Sequence, residues 1–175
     1  IKHIARCLLL LITLATMLPA CRQEISPSSE DTLHRTRIDS ILSKQNDVES
    51  LQRIRQDYRK ANDAVGEMLT LKRMGVVYRE QNKFIEAIDA HTAGFDIANS
   101  IADTLEMLQN LNNIGTNYRR MSMMHDASTF HYKALTLCDK YSDTTSIVNR
   151  KNKVVSLNGI GNISLRLDDY ATADS

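Results

Sequence analysis

The sequence predicts an all-α chain, a solenoid of antiparallel helix pairs, and three observations carry that prediction. From about Thr32 onward, apolar residues recur every three or four positions, the period of a helix face, with almost no strand-type alternation. No proline follows Pro27. The chain also coincides with itself at a shift of 40 residues, a period of the size that marks helical repeat arrays.

Residues 1–20 read as a signal peptide: Lys2, His3 and Arg6 precede the apolar run Cys7–Leu18. That run is shorter than the roughly 20 residues a membrane span needs and has the length of a secretory apolar core. It ends in Leu18-Pro19-Ala20-Cys21, which resembles the lipobox of bacterial lipoproteins, with Pro19 departing from the usual residue in its slot. The resemblance implies cleavage before Cys21 and lipidation of its thiol. The protein is then a membrane-anchored lipoprotein of the bacterial envelope, its domain outside the cytoplasm, in the periplasm or at the cell surface. Residues 21–31 are polar, contain Pro27 and read as a flexible tether.

With Cys7 removed and Cys21 acylated, Cys138 is the remaining thiol, so neither a disulfide framework nor a zinc site is available. Its neighbours Leu135 and Leu137 point to a buried, packing role. Charge excludes another class. The chain has 22 Lys and Arg against 21 Asp and Glu, a balance that offers no electrostatic footprint for nucleic acid.

Residues 32–62 read as a degenerate N-terminal helical repeat. Leu33, Ile38, Ile41 and Leu42 suggest one helix, and Val48, Leu51, Ile54 and Tyr58 a second, with Asn46 and Glu49 placed for a capping box. Clear repeats occupy 63–175, as copies 63–102, 103–142 and a truncated 143–175. Asp63, Asp103 and Asp143 coincide at the 40-residue shift, each an N-cap candidate before an apolar-periodic run. Asp103 has Glu106 three residues on, a second capping box. Leu71 falls on Leu111, Met74 on Ile114, Gly75 on Gly115, Tyr78 on Tyr118, Ala87 on Ala127 and His91 on His131. In the third copy Leu157, Ile160 and Gly161 repeat the signature six residues late, implying a longer first helix, and Asp169, Tyr170 and Ala173 restart a second.

These residues resemble the tetratricopeptide repeat, whose pattern is a large residue, Leu-Gly, Tyr, Ala and an aromatic. Leu71, Met74-Gly75, Tyr78, Ala87 and His91 occupy those slots in one copy, and Leu111, Ile114-Gly115, Tyr118, Ala127 and His131 in the next. Leu157, Ile160-Gly161, Ser164 and Ala173 occupy them in the third. Leu stands for the first aromatic, His for the later one, and the terminal proline is missing. The resemblance implies a right-handed solenoid whose first helices line a concave groove for a peptide or protein partner.

It also resolves an oddity in LQNLNNIGTNYRR (108–120), a helical pattern rich in poor helix formers. Gly115 lets the paired helix approach closely. Mapped onto this chain, the groove shows Lys72, Arg73 and Arg79, then Gln109, Asn112, Asn113, Thr116, Arg119 and Arg120, then Asn158, Asn162 and Arg166. Asn110 and Asn117 fall on another face, toward the preceding repeat, with a structural role. One family mode, a clamp on a terminal carboxylate, is excluded: Lys72 and Asn113 fit two slots, but Val76, Val155 and Gly159 occupy others that need polar or basic residues.

No catalytic or cofactor constellation emerges. His91 and His131 sit in equivalent packing slots, without the companions of a zinc site. Gly159-Ile160-Gly161 lacks the lysine and strand of a phosphate loop, and Met121, Met123 and Met124 read as core filling at a helix bend. The sequence therefore predicts a non-enzymatic, envelope-tethered protein- or peptide-binding module. The alternative is the extracytoplasmic sensor region of a larger membrane signalling protein, a histidine kinase or transcriptional regulator with its output beyond residue 175.

Overall fold

Every helix end from residue 60 to residue 120 is closed by the same short turn. A computed structural model describes residues 28–141 and 147–173. The chain divides into two units, Ile1–Thr32 and Leu33–Ser175, the second carrying the repeats. The helices are α1 (Ser29–Leu42), α2 (Val48–Lys60), α3 (Ala64–Glu80), α4 (Phe84–Ser100), α5 (Thr104–Arg120), α6 (Met124–Tyr141) and α7 (Ile147–Ala173). Residues 1–20, expected to be a signal peptide, the lipidation candidate Cys21 and the cap candidate Asp143 lie outside the described residues.

Asn62, Asn82, Ala102 and Ser122 have φ of 54°, 59°, 58° and 61°, the left-handed region, at intervals of 20 residues. The residue after each donates its backbone N–H across the turn: Asp63 to the Tyr58 carbonyl at 2.9 Å, Lys83 to Tyr78 at 2.9 Å, Asp103 to Ala98 at 2.8 Å and Met123 to Tyr118 at 3.0 Å. This is Schellman closure, which satisfies carbonyls that the helix end leaves free. The next helix starts at once. Asp63 accepts from the Gly66 N–H at 2.8 Å and Asp103 from the Glu106 N–H at 3.0 Å. A 17-residue helix plus a three-residue turn makes a 20-residue unit, and two units make the 40-residue repeat. Turns this short make consecutive helices antiparallel neighbours. From α2 to α7 they pack in chain order as an all-α solenoid of helix pairs.

Leu51, Met68, Leu71, Met74 and Val77 belong to the larger core cluster, and Leu108, Leu111, Ala134 and Cys138 form a second one. Burial pushes the Cys138 thiol pKa up, so it packs as an inert apolar group. Tyr118 stacks on Phe130 with ring centroids 5.4 Å apart. Of the three methionines at the bend, Met124 is buried while Met123 is exposed.

Close helix contacts occur where glycine meets a histidine ring. A Cβ on Gly75 would lie 2.5 Å from His91 Nε2, and one on Gly115 would lie 3.0 Å from the His131 ring. Gly159 presses on the same His131 ring, where a Cβ would come within 2.4 Å of Nε2. His131 is thus held between glycines of α5 and α7.

Four expectations need correction. Residues 29–31 are helical, because Ser28 and Asp31 form a reciprocal capping box that starts α1 inside the expected tether. The α2 cap is Asp47, which accepts from the Glu49 and Ser50 N–H groups; a carboxylate in the adjoining position displaces Asn46 from that role. Glu106 does not close a box with Asp103, since its carboxylate turns to Lys72 instead. Lastly, α7 is a single 27-residue helix with no restart at Asp169. Its buried side is Asn152, Ser156, Gly159 and Ile163, whereas Leu157 is 49 % exposed and Gly161 faces open space. Six inserted residues rotate the later part of a helix by roughly 240° at 3.6 residues per turn, carrying the Leu157–Gly161 signature away from α6.

Two outcomes are expected in urea denaturation. Gly75→Ala and Gly159→Ala should each lower stability by about 1–3 kcal/mol through overpacking, while Gly161→Ala should raise it by up to about 1 kcal/mol from helix propensity. Ala102→Gly should stabilise by about 1 kcal/mol, because it relieves a Cβ in the left-handed region.

Candidate partner-binding cleft

On α3, Leu69, Lys72, Arg73 and Val76 fall at i, i+3, i+4 and i+7, and therefore share one face. Gln109 and Asn113 do the same on α5. Together with Asp39, Leu42 and Ser43 of α1 and its C-terminal turn they line a cleft of about 390 Å³. Two independent repeats thus place four of the expected groove residues, Lys72, Arg73, Gln109 and Asn113, around one space.

Their polar groups are already engaged within the chain. Lys72 Nζ donates to Glu106 Oε1 at 2.8 Å and to Gln109 Oε1 at 3.0 Å, tying α3 to α5. Arg79 donates to Asn113 Oδ1 at 3.0 Å, a second tie between the same helices. Arg73 Nε donates to the Gln45 carbonyl at 2.9 Å, and its Nη2 to Asn46 Oδ1. Burial pushes the Arg79 pKa below its ordinary value, with Arg120 adding to the effect and Glu80 opposing it. Arg119 shifts the same way, by burial and then by Arg120 and Arg166.

The α1 residues that complete the cleft are absent from the sequence-based groove. His34 Nε2 lies 2.8 Å from Asp63 Oδ2, and Arg35 donates to Asp103 Oδ2, so the N-caps of α3 and α5 each hold a basic side chain of α1. Ile38 and Leu42 are buried with the core that contains Leu69 and Leu71. Burial of two such side chains contributes about 1.5–3 kcal/mol each, and solvent-screened ion pairs at most about 1 kcal/mol. The Arg35, Ile38, Leu42 spacing signals an amphipathic helix, but nothing in it names the surface that receives it.

Asn112 is a correction. Expected in the groove, it is buried, and its Oδ1 accepts from His131 Nδ1 at 3.1 Å and Ser156 Oγ at 2.9 Å. Its amide donates to the Asn152 carbonyl at 3.4 Å. One residue of helix rotation, about 100°, separates it from Asn113 and turns it toward α6 and α7. Asn110 is likewise buried. Its amide donates to the Glu106 carbonyl at 2.9 Å and its Oδ1 faces His91 Nδ1 at 3.1 Å. Asn117 is fully buried, with neither amide atom partnered among the described residues. Asn110 and Asn112 therefore serve the packed interior on two sides of α5, each accepting from the histidine of a neighbouring helix.

The other expected residues spread outward. Thr116 is half-buried and donates to the Asn112 carbonyl at 2.9 Å. Arg119 is half-buried with its Nε unpartnered among the described residues, and Arg120, Asn158, Asn162 and Arg166 are exposed. No family model matches the chain, and no curated protein matches it. Among the described residues no helix is long and apolar enough to cross a membrane.

The histidine pairs carry a pH signature. Each asparagine oxygen is an acceptor, so Nδ1 carries the proton of a neutral ring, and burial lowers both His91 and His131 to about 4. An unfolded histidine takes its proton near 6.5. Stability is therefore full above about pH 6.5 and declines as pH falls toward 4, by up to about 3 kcal/mol per histidine. Urea midpoints across pH 7.5–4 should show that slope. His91→Phe should lower the midpoint at pH 7, where Asn110 loses its donor, and flatten the decline below pH 6.5.

Proposed function

We propose that this chain is a non-enzymatic, tetratricopeptide-type module that binds a peptide or protein ligand along the shared face of α3, α5 and α7. In this reading Cys21 anchors it to the bacterial envelope, with the helices outside the cytoplasm. The observation that carries the reading is a polarity along that face. At the helix starts, Asp63, Asp103 and Glu106 are matched by His34, Arg35 and Lys72. At the other end, about 25 Å away at 1.5 Å per residue, Arg79, Arg119, Arg120 and Arg166 have no ion pair among the described residues. Their mutual repulsion is part of what lowers the pKa of Arg79 and Arg119.

Three successive first helices thus contribute guanidinium groups that no carboxylate pairs among the described residues, with Glu80 near Arg79 but not bonded to it. A planar fork of donors suits a carboxylate-bearing ligand. The clefted half of the face supplies apolar contact through Leu69 and Val76. Binding of this kind needs positioned groups and no bond chemistry.

Peptide-display selection against the full chain, followed by fluorescence-anisotropy titration of the selected peptides, tests the reading. Acidic peptides should be enriched. Arg120→Glu with Arg166→Glu should weaken them by about tenfold or more, near 1.4 kcal/mol, and reduce the salt dependence of binding. Both side chains are exposed, so the unfolding midpoint should stay within about 0.5 kcal/mol of the parent. Peptides that bind the charge-reversed chain equally well would overturn it.

A further inference from the structure

We propose that α1 is a built-in occupant of the α3 and α5 face that borders this cleft, and that the ligand displacing it is an amphipathic helix of the same chemistry: a basic residue with branched apolar residues three and seven positions later. The inference rests on the proposed function, because it names what the same face accepts and how access to it is controlled.

Three observations converge on it. First, α1 sits on the ligand face itself. Leu42 shares the cleft with Lys72, Val76, Gln109 and Asn113, from two different repeats. A helix that merely began the solenoid would pair with its successor, yet Arg35 reaches past α2 and α3 to the cap of α5, 68 residues away in sequence.

Second, the attachment is a small set of side-chain contacts. The helices from α2 to α7 pack closely in chain order, whereas α1 joins no such close pair. Of its 14 residues, Ile38 and Leu42 are the buried ones, and Leu33 and Ile41 face solvent. A 14-residue helix has marginal stability alone in water, so its release has little helix energy to overcome beyond those contacts.

Third, the docking code is directional. Arg35 answers the acidic cap of α5, and Ile38 and Leu42 come next at i+3 and i+7 on the same stripe. The chain just after α1 accepts from Arg73 at Gln45, and the cleft that α1 walls reaches Val76, short of the arginines at the far end of the face. An incoming helix of the same stripe, continued by carboxylates, makes every contact α1 makes and also meets Arg120 and Arg166. That difference lets a ligand win against an intramolecular competitor.

The test uses the full chain and a synthetic peptide of residues 28–46 as probe. In hydrogen exchange, amides of residues 34–42 should open well before those of α3 and α5. Arg35→Glu, which leaves the apolar contacts in place, should open α1 further and raise affinity for the added peptide. Ile38→Asp with Leu42→Asp should release α1 and raise that affinity roughly tenfold, the factor by which a mostly closed cleft reduces apparent binding. Added peptide should protect amides of α3 in the released chain and be expelled by Leu69→Asp.

If α1 is released in exchange but the peptide binds no better, the inference is overturned. It is equally overturned if residues 34–42 exchange as slowly as the core. The underlying reading fails separately. Selected acidic peptides that bind through Arg120 and Arg166 while α1 stays protected leave that reading standing and sink this one. A probe peptide that docks in the released chain, where no selected ligand depends on the arginines, does the reverse.

Discussion

A single backbone constraint organises the repeats of this chain: one residue in the left-handed region every 20 positions. Because the turn needs a single residue at positive φ and the next residue's N–H to close the helix, the connection cannot be longer or shorter than three residues without losing its hydrogen bonds. A fixed turn with a fixed 17-residue helix sets the direction of every neighbour. First helices of successive pairs then run parallel, so their aspartate caps gather at one end and their arginines at the other. The polarity of the candidate face is thus a consequence of turn geometry.

Within that frame α5 carries an unusual load. Its four buried polar residues, Glu106, Asn110, Asn112 and Asn117, would destabilise an ordinary core helix. Three of them are offset by specific bonds, to Lys72, His91 and His131, and these bonds fix the register of α5 against α3, α4 and α6. The two histidines stand at equivalent positions 40 residues apart. Glycines open the space for their rings and asparagines supply the acceptor that apolar neighbours would not. Helix composition, turn and ring contact form one solution to the same spacing problem.

Much of the fold is legible in the sequence because it depends on local periodicity. Asp63 and Asp103, the coincident Leu, Gly and Tyr positions and the absence of proline after Pro27 all report on the chain within one or two turns of helix. The turn residues are not legible in the same way, since Asn62, Asn82, Ala102 and Ser122 share a conformation and no single residue type. The third copy misleads for a related reason. Counting residues cannot track a helix face through an insertion, where each added residue rotates it by about 100°. The face of the candidate site is legible through Lys72, Arg73, Gln109 and Asn113, but Asn112 is not separable from Asn113 by composition.

By itself the sequence determined the all-α class, the 40-residue repeat, the Asp63 and Asp103 caps and the side of α3 and α5 that carries Gly75 and Gly115 into the packing, all of which depend on periods no longer than the repeat. Only the tertiary structure decided that α1 lies over the caps of α3 and α5, that Lys72 is tied to Glu106, and that one asparagine of an adjacent pair is buried while the other lines the cleft. The physical reason is range. Propensity and capping act between residues three or four apart, whereas docking of α1 joins residues 29 and 68 positions apart, and its partners are chosen by shape and charge that exist only once the helices are stacked.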